Sequence, residues 1–302
     1  MTYCDRMPSR RRGSLLACTG LPAAVLATVL TGCGGGQRAA TPTVTTAVTA
    51  VADPASAAPG SVVDGRELAR MIQSAIGPNA TVTVQFSGGG PASTRSSAAT
   101  GQVRMGTDFG MRMSVNRGKG SMTMLLISEG YFLSTGASVD GRTWIRLYDS
   151  TNDPVSQMLG SIMEEARHNV DIATLQSYLV LADSVVADGP STVNGLRANK
   201  YTLKLGEKAL RAQLPATMMT GLVDSEMNGA SGAMTLYLDA RNRPIQSVTT
   251  TNIKGQKVTG TATFSNWGGR ADLTAPQPAQ VLDLSSNSDV NKLSQFLDRA
   301  AG

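Results

Sequence analysis

The sequence predicts an α+β fold in which one antiparallel sheet carries helices against one face. Two groups of short segments alternate apolar and polar residues, and a segment with a helical period separates them. No internal repeat of about 20–50 residues is visible, so a solenoid or a propeller is not expected. Because 41% of the residues are hydrophobic, the chain can form a substantial core.

Residues 1–32 are predicted to be a secretory signal peptide. A basic start, with Arg6 and residues 10–12, precedes an apolar run over residues 15–30 that ends at Leu30-Thr31-Gly32-Cys33. A small residue directly before a cysteine resembles the lipobox of bacterial lipoproteins, in which the cysteine is acylated and the chain is cut before it. Cys33 is therefore predicted to anchor the mature protein in the plasma membrane, on its extracytoplasmic face.

An uncleaved transmembrane anchor is the alternative for this segment. The apolar run is about 16 residues long and contains Pro22, whereas a spanning helix needs about 20 residues. No charged flank follows it. The export route stays open, because Ser9-Arg10-Arg11 begins a twin-arginine signal that Gly13 and Ser14 do not continue well.

The leader also holds much of the positive charge and two of the three cysteines. Without its four arginines and Asp5, the formal net charge falls from +5 to +2, so a nucleic-acid partner is not expected. Cys4 and Cys18 leave with the leader, and Cys33 carries lipid. Disulfides, zinc sites of the cysteine type and cysteine nucleophiles are therefore excluded from the folded domain.

Residues 33–60 are predicted to be a flexible tether, residues 61–284 the folded domain and residues 285–302 a C-terminal tail. The tether is rich in Gly, Ala, Thr, Pro and Val, with almost no charge and no periodic pattern. The domain begins with a helix, because Asp64 and Glu67 form an N-cap pattern and the apolar residues after them follow a helical period.

Strands are predicted where apolar and polar residues alternate. They cover residues 81–86, 109–115, 122–127, 131–133, 143–148, 197–205, 232–238, 245–252 and 257–264. The Gly/Ser/Pro-rich residues 87–99 are predicted to be a loop. Between the two groups of strands, helical patterns cover residues 155–166 and a shorter stretch with Ile172, Leu175, Leu179 and Ala182, and a helical turn covers residues 207–214.

Several passages resemble actinobacterial lipoproteins of the LppX/LprAFG group, and together with the lipobox they cover most of residues 64–284. They are Tyr131-Phe132-Leu133 with Asp140-Gly141-Arg142-Thr143-Trp144-Ile145-Arg146-Leu147, Val193-Asn194-Gly195 with Asn199-Lys200-Tyr201-Thr202-Leu203, Leu236-Tyr237-Leu238-Asp239 with Arg243-Pro244-Ile245, and Thr263-Phe264-Ser265-Asn266-Trp267-Gly268.

The resemblance implies a curved antiparallel half-barrel, similar to the LolA/LolB lipoprotein carriers, that wraps several helices around an apolar cavity. It also implies that the protein binds acylated lipids or glycolipids and transfers or presents them in the cell envelope, with an inner-membrane lipid transporter as a further partner. The group has no catalytic residues to carry over. The protein is therefore not expected to be an enzyme, and no cofactor is expected.

Ten residues are candidates for lining this cavity. Methionine is flexible and polarizable, so it suits a surface that accepts different acyl chains, although it also fills irregular gaps in packed cores. Trp144 and Tyr178 combine an apolar body with one polar group, which fits either a pocket mouth or the edge of a core. The candidates are Met111, Met113, Met124, Leu126, Leu133, Trp144, Met158, Ile162, Tyr178 and Leu179. Arg112, Arg142 and Arg146 are candidates for contacting a polar headgroup.

Other kinds of site have little support in the sequence. His168 is the only histidine, and its polar neighbours are typical of a surface loop between helices. No nucleophile elbow, S-x-x-K or H-E-x-x-H motif is present, and no metal site is expected. The main alternative to a lipid carrier is a packed domain without a lipid cavity that binds a protein or senses the cell envelope.

Overall fold

The computed structural model describes residues 53–89, 97–117, 120–147, 167, 171–212, 227–253 and 255–283. Within these residues the helices are α1 (Gly65–Ile76), α2 (Ile172–Leu181) and α3 (Glu207–Arg211), with a 3₁₀ turn at Pro278–Gln280. The strands are β1 (Ser61–Val62), β2 (Thr81–Gly89), β3 (Ser97–Arg104), β4 (Gly110–Arg117), β5 (Gly120–Ile127), β6 (Gly130–Ser134), β7 (Trp144–Leu147), β8 (Ser184–Val193), β9 (Leu196–Leu205), β10 (Ser231–Leu238), β11 (Pro244–Ile253), β12 (Gln256–Ser265) and β13 (Val281–Asp283).

The thirteen strands form one open sheet in the order β1-β8-β9-β10-β11-β12-β2-β3-β4-β5-β6-β7-β13. Neighbouring strands are antiparallel except for β7 and β13, which are parallel. Because β1 and β13 are edges, the sheet does not close into a barrel. The predicted fold class, a large antiparallel sheet with helices against one face, is confirmed.

The strand pattern found most elements but missed four strands. Strands β3 and β8 were not predicted, and neither were the short edge strands β1 and β13. Within residues 87–99, predicted to be a loop, residues 87–89 end β2 and residues 97–99 begin β3. Their small side chains give little apolar period, yet the backbone pairs along both strands. The predicted helix at 155–166 and the tail at 285–302 lie outside the described residues.

Helix α1 begins where its sequence predicts. Asp64 Oδ1 accepts hydrogen bonds from the backbone N–H groups of Arg66 at 2.7 Å and Glu67 at 3.4 Å, so it caps the first turn. The helix ends at Gly77, whose φ of 77° lies in the left-handed region that glycine adopts without strain. Leu68 and Ile72 are fully buried beneath it. The amphipathic helix therefore covers one end of the sheet.

All three helices pack on the same face of the sheet, which we term the inner face; the opposite side is the outer face. Side chains of α1, α2 and α3 share one core cluster with β8, β9 and β10. A second cluster covers β2 to β7. The strand registers place both clusters on one face, because a single row of paired residues joins them. This row is Ala187, Tyr201, Leu236, Ser247, Ala262, Phe86, Ala99, Val115 and Met122.

Helix α3 carries a hydrogen-bonded carboxylate that ties two parts of the chain together. Glu207 Oε1 accepts a bond from Arg211 Nε at 2.7 Å, and Glu207 Oε2 accepts one from the backbone N–H of Gly229 at 3.0 Å. The Gly229 N–H, followed by the Arg211 side chain, holds the pKa of Glu207 below its usual value. These bonds stabilise the ionised form, so their contribution to folding depends on pH.

We predict that Glu207→Gln destabilises the protein at pH 7 and that the difference shrinks in acid. A carboxyl with a lowered folded pKa stabilises the protein above its unfolded value of 4.5, and the effect is lost as pH falls through the folded pKa. Urea unfolding of both proteins at several pH values from 7 to about 3 measures this difference. A difference that does not change over this range would contradict the prediction.

Gly101 leaves space on the inner face for a neighbouring methionine. A Cβ atom at this position would overlap Met113 Sδ and the Arg112 carbonyl oxygen. Gly101 pairs with Met113 across β3 and β4, so the thioether lies where a side chain would otherwise be. The row of large residues on the inner face therefore depends on one residue without a side chain.

We predict that Gly101→Ala lowers the free energy of unfolding by about 1–3 kcal/mol, because added volume in a packed interior forces backbone or side chains to shift. Thr100→Ala is the matched control, since Thr100 is exposed on the outer face of the same strand. Chemical denaturation of the three proteins compares them. Equal stability of Gly101→Ala and the unmodified protein would contradict the prediction.

Candidate functional site: the apolar inner face

A row of apolar side chains crosses the inner face from β12 to β13. The pairing of neighbouring strands places these residues in one row: Phe264, Val84, Gly101, Met113, Met124, Leu133, Ile145 and Leu282. A second row beside it contains Val82, Val103, Met111, Leu126, Tyr131 and Leu147. We term the two rows together the methionine face.

Five of the predicted cavity residues come together here. Met111, Met113, Met124, Leu126 and Leu133 belong to one cluster, with relative exposures between 0% and 8%. Partly buried aromatic side chains surround them, including Phe86, Phe109, Tyr131, Phe264 and Trp267. These aromatics are not among the ten predicted cavity residues, although the alternation in the first and last predicted strands puts Phe86 and Phe264 on apolar faces.

The inner face is less apolar between the two core clusters. Ser247 and Thr249 on β11 face the helices, because they pair with the inner-face residues Leu236 and Met234. Both are partly exposed, as is Gly260 on β12, which pairs with Thr249. Ile76 of α1 and Ile172 of α2 pack against both clusters and join them. Among the described residues, β11 and β12 therefore form the part of the inner face that core packing covers least.

Tyr178 and Leu179 lie on the inner side but in the other cluster. Both residues of α2 pack with α1 and with β8 to β10, away from the methionine face. Burial raises the pKa of Tyr178 to about 12, so its hydroxyl stays protonated at neutral pH. The second cluster is held by packed helices, and Leu179 is 2% exposed.

Trp144 lies on the outer face, which corrects its prediction as a cavity residue. The residue of β7 that joins the methionine face is Ile145, because Ile145 pairs with Leu133. Successive residues of a strand point to opposite faces, so Trp144 points the other way. It packs instead against the outer cluster of Leu125, Ile127 and Phe132.

Two of the three candidate headgroup arginines also lie on the outer face. Arg112 Nη1 is 2.7 Å from Asp272 Oδ2, and its guanidinium lies 6.0 Å from the centre of the Trp144 ring. Arg146 donates to the Glu129 carbonyl oxygen and lies 5.7 Å from the Phe132 ring centre. Arg142 pairs through its backbone with Val139 in the β6–β7 connection. None of these contacts brings Arg112 or Arg146 to the methionine face.

Residues 270–281, here termed the C-terminal strap, cover the apolar part of the outer face. Leu273, Ala275 and Val281 pack on the outer cluster. The Asp272 backbone N–H also donates to Gln102 Oε1 at 2.9 Å. The strap continues into β13, which extends the sheet beside β7.

Three predicted functional residues cannot be placed: Met158, Ile162 and Cys33 lie outside the described residues. Within the part of the chain that the structure describes, no group of His, Cys, Asp or Glu is arranged to hold a metal ion. In the same part, no helix is long and apolar enough to span a membrane.

Solved structures similar to this chain include members of the group that the sequence resembles. The lipoprotein LppX of Mycobacterium tuberculosis is 14% identical, over 70% of this chain and 98% of that one, with a TM-score of 0.44. LprF of Mycobacterium bovis is 13% identical, over 70% and 96%, with a TM-score of 0.44. A LolA superfamily protein of Nitrosomonas europaea is 8% identical, over 71% and 96%, with a TM-score of 0.28.

Two of these solved structures thus belong to the group that the sequence resembles, at low identity. No protein-family model and no curated protein matches the sequence.

We predict that packing, and not the ion pair, holds the C-terminal strap. Asp272→Ala should lower the free energy of unfolding by less than about 1 kcal/mol, because exposed ion pairs contribute little. Leu273→Ala removes apolar contacts and should cost more, about 1–3 kcal/mol. Denaturant unfolding of both variants measures the order of the two effects, and a larger loss for Asp272→Ala would contradict it.

Proposed function

We propose that the protein is an envelope lipoprotein, anchored through acylated Cys33, that binds acylated lipids or glycolipids on its inner face and transfers or presents them in the cell envelope. The observation that carries this proposal is the methionine face, an apolar surface continuous across eight strands. Its flexible thioether side chains can adjust to acyl chains of different shape.

The physical basis is the replacement of one apolar environment by another. An acyl chain leaves a bilayer only if the protein buries it equally well, at about 0.8 kcal/mol per CH₂ group. A dozen buried methylenes would contribute on the order of 10 kcal/mol before the costs of ordering and desolvation are subtracted. An apolar surface of several strands can supply that burial without any catalytic group.

The partly exposed strip on β11 and β12 supports an entry route. Ser247, Thr249 and Gly260 have small side chains or none, so a ligand could pass between the two core clusters without displacing large residues. Hydroxyl groups there can bond to the ester or sugar oxygens of a lipid. An inner-membrane transporter that supplies or removes the lipid belongs to the same proposal.

A packed interaction module remains the second candidate, and one observation favours it. Met111, Met113, Met124 and Leu133 are between 0% and 3% exposed, as in an ordinary packed core. In that case the inner face is filled by the protein's own side chains. The two candidates differ in whether an acyl chain can enter.

Native mass spectrometry of the protein from a lipid-containing host tests whether it binds lipid at all. We expect a reproducible extra mass that extracts into organic solvent as an acylated lipid. A bare protein mass, still bare after incubation with diacyl and triacyl lipids, would favour the packed module.

The two tryptophans then report where the lipid lies, because they occupy different surroundings. The rings of Trp267 and Phe264 are stacked with their centres 6.3 Å apart, and Trp267 packs against the methionine face. Trp144 instead lies on the outer face. We predict that a lipid with brominated acyl chains quenches the fluorescence of Trp144→Phe, which retains Trp267. It should leave that of Trp267→Phe nearly unchanged. Equal quenching of both variants, or quenching of Trp144 alone, would contradict binding on the inner face.

A further inference from the structure

Three turns lie side by side at one end of the sheet. Strand β9 leaves this end, β10 returns to it, β11 leaves it and β12 returns, because these neighbours are antiparallel. The β8–β9 turn, the β10–β11 turn and the segment after β12 therefore meet there. The last segment is fixed to β11 by a bond from Trp267 Nε1 to the Pro244 carbonyl oxygen at 2.8 Å. We term this the arginine end, and the opposite end, which carries α3, the α3 end.

Exposed arginines dominate these turns. Arg197, Arg241 and Arg270 are exposed, and none of their guanidinium groups pairs with an acid in the described residues. One acidic residue, Asp239, occurs in the three segments 194–199, 239–243 and 266–270. Its Oδ2 atom accepts bonds from the side chain of Arg243 at 2.8 and 2.9 Å, so that charge is already compensated. These three segments therefore carry a net positive charge.

The turns beside these arginines are tight. Each contains an asparagine in the left-handed region, with φ of 51° at Asn194, 61° at Asn242 and 52° at Asn266. Asparagine adopts this conformation more readily than most residues, and it marks tight turns. Beside Arg197, the side chain of Leu196 is 55% exposed, one of two large apolar side chains so exposed in the described residues.

Residues 53–60 are held on the folded domain beside the middle of β9. Strand β1 runs antiparallel to β8, so the residues before it come from the end where β8 finishes. Pro54 is buried, and its carbonyl oxygen accepts a 3.0 Å hydrogen bond from the Tyr201 hydroxyl. Ala57 packs against the second core cluster. Residues 53–60 are thus held on the domain, and the remaining tether runs from residue 34 to residue 52.

The length of that tether lets the arginine end reach the membrane. Its 19 residues would span about 25 Å as the coil that their composition predicts, at about 5–6 Å times the square root of the residue number. From Tyr201, where Pro54 is held, to Leu196 at the arginine end is about 17 Å of strand. An anchor at Cys33 therefore leaves the arginine end within reach of the membrane.

We propose that the arginine end docks on an anionic membrane surface, with Arg197, Arg241 and Arg270 against lipid phosphates and Leu196 in the interface. This inference rests on the proposed function only for the anchor at Cys33. Arginine donates several hydrogen bonds to a phosphate at once, and a basic surface near an anionic membrane gains affinity with each charge. The docked domain would place the junction of its two core clusters, at Ile76 and Ile172, toward the membrane.

Vesicle binding with charge-matched variants tests the proposal. The full chain with Cys33→Ser, which cannot be acylated there, is mixed with vesicles of phosphatidylglycerol and phosphatidylcholine or of phosphatidylcholine alone. One variant adds Arg197→Gln, Arg241→Gln and Arg270→Gln. The control adds Lys204→Gln, Lys208→Gln and Lys257→Gln, three exposed lysines at the α3 end. Residues 1–52 are common to all three proteins, so differences report on the folded part.

We expect the arginine variant to lose on the order of a hundredfold in partitioning to anionic vesicles, at about fivefold for each of the three charges, and the lysine control to lose less than twofold. The loss should disappear in high salt, which screens the charges. Thermal unfolding checks that both variants fold; if the triple variant does not, Arg241→Gln alone should lose about fivefold.

Equal losses in both variants would overturn the proposal. So would no loss in either variant, which is the result expected if these arginines bind an acidic protein instead. Failure here is separable from failure of the proposed function. An extractable lipid in native mass spectra with unchanged vesicle binding would remove only the docking surface. A bare mass with arginine-dependent vesicle binding would remove only the lipid site.

Discussion

The hydrogen-bonded register between neighbouring strands is the constraint on which the rest of the structure depends. Side chains alternate between faces along each strand, so a slip of one residue would move a whole strand's apolar set to the other face. Here each register keeps the apolar set on the inner face, from Ala187 on β8 to Leu282 on β13. The helices can pack on that face only because it is apolar almost throughout.

The same register explains where the inner face weakens. On β11 the inward positions include Ser247 and Thr249, which are partly exposed, and on β12 they include Gly260. These small residues separate two cores, one held by helices and one rich in methionine, which Ile76 and Ile172 join from above. A domain built this way has two packed halves and a seam between them. Because small residues and hydroxyl groups line this seam, a ligand that entered there would displace few large side chains.

The two faces of the sheet divide the chemistry of the molecule. The inner face holds the methionines, while the outer face of β5 to β7 is sealed by the C-terminal strap, with Arg112 and Arg146 lying over aromatic rings. The exposed arginines Arg197, Arg241 and Arg270 lie instead in or beside the turns at one end of the strands. Apolar binding on one face and charged contact at one end are therefore separate properties, which different substitutions can change independently.

The sequence by itself determined the α+β class, the cap and stripe of α1, the position of α2 and most strands, because these follow from local period and capping. It also grouped Met111 with Met113 and Met124 with Leu126, since residues two apart in a strand share a face. Strand β3 escaped it because the inward residues Ala99, Gly101 and Val103 are small, and β8 because Gly189 and Pro190 interrupt the pattern at a bulge. Only the tertiary structure decided that Ile145, and not Trp144, joins the methionine face. Alternation fixes which residues of a strand point together, but pairing with β6 decides which set points inward.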